Sequence, residues 1–211
     1  MNSEQPPSLP STNSGLQLVR EWATVLVVAL VIAITVRSLI LQQFYISGPS
    51  MEATMFQDDR VLVNKLSYRL HDIHRGDVVV FDRVTVDGQV VQHDDLIKRV
   101  IALGGEKIFI KDCKVFINGK LLPEPYLNDF DLAQTVVEDR CRVPLMDEMI
   151  IPDNQLFVMG DNRPQSFDSR MFGPIEQKLV VGRAFVIIWP FIDYSITFRC
   201  QVFEHVIQTF D

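Results

Sequence analysis

The amino-acid sequence predicts a mainly β domain, of barrel or paired-sheet type, behind one N-terminal transmembrane helix. Three observations carry this. A run from Trp22 to Val36, WATVLVVALVIAITV, holds no charged side chain. Beyond it the chain turns to short β-branched or alternating segments separated by Gly, Asp and Asn. One of these, KVFINGKLL, contains the Asn118-Gly119 signal of a tight hairpin.

Residues 1–21 read as a disordered tail, because Met1 to Ser14 is rich in Pro, Ser and Asn and lacks an apolar period. Residues 22–41 read as the anchor. A span of about 20 residues rising 1.5 Å each crosses a hydrocarbon core of roughly 30 Å. Arg37 lies near its end, where a long stem can snorkel to the interface. The run is too long for a cleavable signal segment and no small-x-small exit follows it. With Arg20 beside Glu21, flanking charge gives no orientation. Residues 42–211 then read as one β-rich domain. Its strands are FYISG, RVLVNK, GDVVVF, QVVQH, LIKRVIAL, KIFI, KVFING, NQLFVMG and LVVGRAFVIIW, and Lys65 to Leu70 is the one helical stretch. The apolar tract Ala184 to Phe191 reads as a core strand rather than an interfacial one. Residues 121–150, with their prolines and acids, form an excursion out of the core.

A formal charge of -7 argues against a nucleic-acid partner, since no basic surface dominates. No cofactor motif is present. His71 and His74 form an HxxH without a third ligand at metal spacing, so no metal is expected. Cys113, Cys141 and Cys200 are an odd set without a CxxC pair. Cys113 and Cys141 can pair in an oxidising compartment, or all three can be free thiols; sequence leaves both open.

Three segments carry chemistry. Ser47-Gly-Pro-Ser-Met51 follows a strand, and its serine needs an adjacent base to become a nucleophile. Leu96-Ile-Lys-Arg-Val-Ile101 sets Lys98 inside an apolar strand, with Leu96, Lys98 and Val100 on one side. Burial there disfavours the ammonium, and a neutral amine can take a proton from a serine without any histidine. Gly160-Asp-Asn-Arg-Pro-Gln-Ser-Phe-Asp-Ser-Arg170 is a polar loop able to brace a lysine and to lock itself with an Asp-Arg pair.

Alone, each is commonplace. In the order SGPSM, KRVIALGGE, GDNRPQSFDSR behind a membrane span, with GDVVVF between the first two, the chain resembles type I signal peptidase from the anchor to about Trp189. The resemblance implies a membrane-bound serine endopeptidase with a catalytic domain built on a coiled β-sheet on the trans side of the membrane. Its partners would be signal-peptide-bearing preproteins and the lipid bilayer. It implies Ser50 as nucleophile and Lys98 as general base. Ser166 would hydrogen-bond the lysine, and Asp168 with Arg170 would brace the site as an ion pair. Phe44, Ile46, Met51, Met55, Leu96 and Ile97 would line shallow pockets for small residues at the -1 and -3 positions. Two positions depart from the family pattern. Gly48 stands where many members carry an oxyanion-hole serine, and Ala53-Thr54-Met55 replaces Pro-Thr-Leu.

Spacing adds one constraint that does not depend on resemblance. The few residues from Leu41 to Ser50, at no more than about 3.5 Å each, tether the nucleophile to the end of the anchor. Two rival readings remain. A self-cleaving repressor uses the same pair but is soluble and carries a DNA-binding domain. A membrane-tethered β scaffold with a dead site would not need all three catalytic side chains.

Overall fold

The computed structural model describes residues 13–87, 90–127 and 141–189. The chain separates into two units, Met1–Ile40 and Leu41–Asp211.

The first unit holds helix α1, Asn13–Leu39, whose described side chains are all exposed. Within it Gly15–Thr35, with a mean hydropathy of 2.0, is long and apolar enough to cross a membrane. The helix starts earlier than the sequence suggests: residues 13–21, expected in the tail, are helical, and Leu41 already belongs to the first strand. A helix nucleated in the apolar run propagates cheaply through Leu16-Gln-Leu-Val. The side chain of Arg37 lies outside the described residues, as do residues 1–12.

The second unit is built from eleven described strands: β1 Leu41–Tyr45, β2 Arg60–Asn64, β3 Val78–Asp87, β4 Val90–Leu103, β5 Lys107–Lys111, β6 Lys114–Ile117, β7 Lys120–Leu121, β8 Leu145–Ile150, β9 Gln155–Met159, β10 Ile175–Glu176 and β11 Val180–Trp189. Two one-turn helices, α2 Ser67–Leu70 and α3 Ser169–Phe172, join them. All pairings are antiparallel. A seven-stranded sheet runs β1-β2-β11-β3-β4-β9-β10, and a four-stranded sheet runs β7-β6-β5-β8. The chain is therefore mainly β behind one apolar helix.

Periodicity explains the individual strands. β5 and β6 alternate exposed and buried positions, so Ile108, Ile110, Val115 and Ile117 enter the core. Between β6 and β7, Asn118 (φ 50) and Gly119 (φ 80) both take the left-handed conformation that a two-residue hairpin requires. Central β3 is buried on both faces from Val78 to Phe81, which pairs in register with Leu96 to Arg99 of β4, and so reads as a continuous apolar run.

Three apolar clusters form the core. Ile101, Ala102, Phe157 and Met159 of β4 and β9 pack with the inward residues of the small sheet. Val79, Phe81, Val100, Leu156, Val158 and Ile175 form a second cluster. Ile46, Met51, Met55, Val61, Val63, Val78, Val80 and Ala184 form a third beneath β1 and β2. Ala184 is buried on β11, while Phe191 lies outside the described residues.

The excursion at 121–150 is only partly one. Leu145–Ile150 returns as β8 beside β5, and Cys113 and Cys141 form a disulfide with Cα atoms 5.7 Å apart. That pairing answers the question the sequence left open; Cys200 and residues 128–140 lie outside the described residues. His71 and His74 are exposed, and no His/Cys/Asp/Glu group suited to a metal occurs among the described residues.

Candidate active site

Ser50 sits on a one-turn 3-10 helix, Pro49–Met51, that ends the stretch following β1. Pro49 favours this turn because its fixed φ suits a first helical position and its missing N–H leaves no orphan donor. The turn is closed by Glu52 N–H on Pro49 O (3.0 Å) and Met55 N–H on Met51 O (2.9 Å). At the start of so short a helix the Ser50 N–H has no intrahelical acceptor.

Lys98 lies on β4 opposite Val79 of β3, two central strands that keep water away, and only 3% of it is exposed. Its flanking residues Leu96 and Val100 pack in the same core cluster. The Lys98 Nζ is 2.7 Å from Ser50 Oγ and also donates to Ile97 O at 2.8 Å. Burial pulls the Lys98 ammonium down to about 8, against the opposing pull of Asp168 and Asp161. At that value roughly one molecule in ten carries a neutral Lys98 at pH 7, against fewer than about one in a thousand for an ordinary lysine.

The loop 160–170 closes the site from the far side. Asp168 accepts from Gly160 N–H (3.0 Å) and forms a buried ion pair with Arg170 through Nε (2.8 Å) and Nη2 (2.7 Å). Burial alone would push the Asp168 carboxyl up. The hydrogen bonds and charge of Arg170, with Ser166 and the Gly160 N–H, outweigh it and hold the carboxyl below its ordinary value. Arg170 Nη2 also donates to Arg163 O at 2.9 Å. Ser166 is completely buried beside Asp168, but its Oγ makes no hydrogen bond of regular geometry, so the expected bond to Lys98 is not formed.

A cleft of about 130 Å³ opens at the pair, lined by Phe44, Ile46, Leu96 and Ile97 together with Tyr45, Ser47, Gly48, Val80, Asp95, Ser50 and Lys98. Met51 and Met55, expected in its wall, are fully buried in the cluster with Val61, Val63, Val78 and Val80. The turn after Ser50 curls back on itself and sends both methionines behind the cleft into the core. Gly48 has extended backbone (φ -153), and a Cβ built there would meet nothing within 4 Å. Ala53 lies in the same turn at φ 110, a backbone region that L side chains rarely adopt. A larger hollow of about 490 Å³ is lined by Asp72, Ile73, Leu103, Gly104, Asp153, Asn154 and Gln177, with no Ser, Thr, Cys or Lys among them.

Sequence reasoning overlooked the second half of the site. Arg99, beside Lys98 and equally buried, grips Asp161 through Nε (2.8 Å) and Nη2 (2.6 Å) and donates to Gly76 O (2.9 Å). Thr54 Oγ1 donates to Asp161 at 2.5 Å, and Asn162 N–H donates to Ser50 O at 3.1 Å. A signal existed: an arginine inside an apolar strand needs a buried acid, and Asp161 in the polar loop was available.

A family model described as "Signal peptidase, peptidase S26" matches residues 19–189. The chain is 35% identical over 181 residues, 86% of its length and 76% of the relative's, to a probable signal peptidase I-2 of Synechocystis sp.. It is 39% identical to signal peptidase I V of Bacillus subtilis, over 77% of this chain and 95% of that protein. The crystal structure of a signal peptidase I from Enterococcus faecalis aligns with 54% of this chain and 97% of its own, at 29% identity and a TM-score of 0.42.

Gly160 packs so tightly that an added Cβ would lie 2.3 Å from both Ser166 Oγ and Ser50 O. Gly160→Ala is therefore expected to displace the Ser50 turn and lower turnover by about 100-fold, the scale of a 1 Å misplacement. Initial rates of peptide hydrolysis by the folded variant check this.

Proposed function

The chain belongs to the signal peptidase family, peptidase S26, and from that premise we propose that it is a single-pass membrane endopeptidase cleaving signal peptides through a Ser50–Lys98 dyad. The observation that carries the reading is the 2.7 Å approach of a buried, weakly basic Lys98 amine to Ser50 Oγ.

The chemistry follows from those two groups. Neutral Lys98 takes the Ser50 proton as Oγ attacks the scissile carbonyl. The resulting ammonium is held within reach of Asp168 and Asp161 and then protonates the leaving amine. Water, deprotonated by the same lysine, releases the acyl group from Ser50. The Ser50 N–H, left unused at the start of its turn, is the donor for the developing oxyanion, and Gly48 offers no hydroxyl to assist it. Asp168, Arg170 and Ser166 keep the lysine side of the site in place. Substrate lies in the cleft of Phe44, Ile46, Leu96 and Ile97, with Met51 and Met55 acting only as support from behind. The cleft is small and walled by apolar side chains, which suits small residues rather than bulky ones at the -1 and -3 positions.

Helix α1 serves as the anchor. The β unit faces the trans side; the Cys113–Cys141 disulfide supports this, because such bonds persist in oxidising compartments.

Five outcomes are expected. Cleavage of a precursor peptide rises with pH, about ten-fold per unit, and levels off near 8, since the base works only after losing its proton. Ser50→Ala and Lys98→Ala each abolish it, and Leu in place of Ala at -1 slows it at least about ten-fold. Near-wild-type turnover by Lys98→Ala would sink the dyad. Gly48→Ser, which has open space for its side chain, raises kcat by about ten-fold if the oxyanion lacks a second donor; an unchanged kcat would show that the hole is already complete. A membrane-impermeant protease added to intact cells digests the β unit, whereas protection until lysis would reverse the orientation.

A further inference from the structure

The dyad leaves two half-buried side chains of the supposed excursion unused, and both reach back to the 160–170 loop. Glu124 binds the Arg163 guanidinium with both carboxylate oxygens: Arg163 Nη1 donates to Oε2 at 3.1 Å, and Nη2 donates to Oε1. Tyr126 donates its hydroxyl to the same Oε1 at 2.8 Å, while its ring lies under the Arg99 guanidinium, 4.0 Å from centroid to Cζ. The two arginines hold the two sides of one short piece of backbone. Arg163 Nε donates to Gly160 O at 3.1 Å, and Arg99 grips the Asp161 carboxylate. The next residue, Asn162, holds the Ser50 carbonyl through its N–H. The far end of the excursion meets the same point, since Arg142 N–H, next to disulfide-bonded Cys141, donates to Arg163 O at 3.3 Å.

We infer that Glu124 and Tyr126 are positioning residues for the nucleophile. Through Arg163 and Arg99 they hold residues 160–162 against the Ser50 carbonyl, and so set the separation of Ser50 Oγ from Lys98 Nζ. This rests on the dyad reading. A buried ion pair is a weak source of stability, because replacing it with apolar side chains is often neutral. What the pair does supply is a fixed geometry. The forked guanidinium allows one orientation of Glu124, and the aromatic face beneath Arg99 leaves that side chain one plane in which to meet Asp161.

The charged groups bearing on Lys98 are Asp168, paired with Arg170, and Asp161, paired with Arg99; Arg163 bears in turn on Asp161. Removing the negative charge of Glu124 takes away the carboxylate paired with Arg163 and leaves more positive charge near Lys98, which disfavours the Lys98 ammonium.

The test uses the full-length protein in detergent and a precursor peptide with Ala at -1 and -3. Glu124→Gln and Tyr126→Ala are expected to lower the plateau kcat at least about ten-fold with KM changed less than about two-fold, as displaced reacting atoms require. Glu124→Gln also moves the midpoint of the pH profile to lower pH. Glu124→Asp recovers part of kcat, and Tyr126→Phe, which keeps the ring, recovers most of it. Folded variants with wild-type kcat and midpoint would overturn the inference. So would a loss of rate that merely follows the folded fraction in a thermal melt, or a failure of all four variants to fold, since the contacts would then be structural ties only. Ser50→Ala separates this from the parent reading: activity surviving in it refutes the dyad, whereas inactive Ser50→Ala beside a fully active Glu124→Gln refutes only the positioning role.

Discussion

Water exclusion from one amine governs this site. In the proposed dyad Lys98 can serve as a base only while its ammonium is costly, and β3, β4 and the polar loop supply that cost by burying it against Ser50. The carboxylates nearby could undo this, because an unpaired Asp161 or Asp168 would stabilise the protonated lysine. Each is instead paired with its own arginine, Asp161 with Arg99 and Asp168 with Arg170. Lys98 and Arg99 are neighbours on one buried strand with opposite fates. The arginine receives a bidentate acid and stays charged, while the lysine receives a hydroxyl and gives up its proton near pH 8.

Holding a serine against such a base requires a backbone with little freedom. The Ser50 carbonyl accepts from Asn162 N–H, and Gly160 lies close enough that a methyl group would collide with it. Met51 and Met55 leave the cleft for the core, which ties the turn to β2 and β3 from beneath. The same turn contains Ala53 at φ 110, a strained conformation of a kind often kept where geometry serves chemistry.

The small sheet and its disulfide have a place in this arrangement. β4 runs from Lys98 into the cluster shared with β5 and β6, so the small sheet packs on the strand that carries Lys98. Residues after β7 then return to Arg163 instead of leaving the domain. Glu124 and Tyr126 thus form part of the wall around the charged side of the site.

Much was legible from the chain itself. Elements, hairpin, apolar helix and family could be read because they depend on local pattern: period two, an Asn-Gly turn, an uncharged run, an ordered set of motifs. The structure added what depends on distance through space. It paired Cys113 with Cys141, sent Met51 and Met55 inward, left Ser166 unbonded to Lys98, and joined Glu124, Tyr126, Arg99 and Asp161 into one buried network. None of these is encoded in spacing along the chain. Residue types and periodicity determine which side chains must be buried or could react, but the partner that satisfies a buried charge is chosen only when β4, the 160–170 loop and the segment after β7 converge.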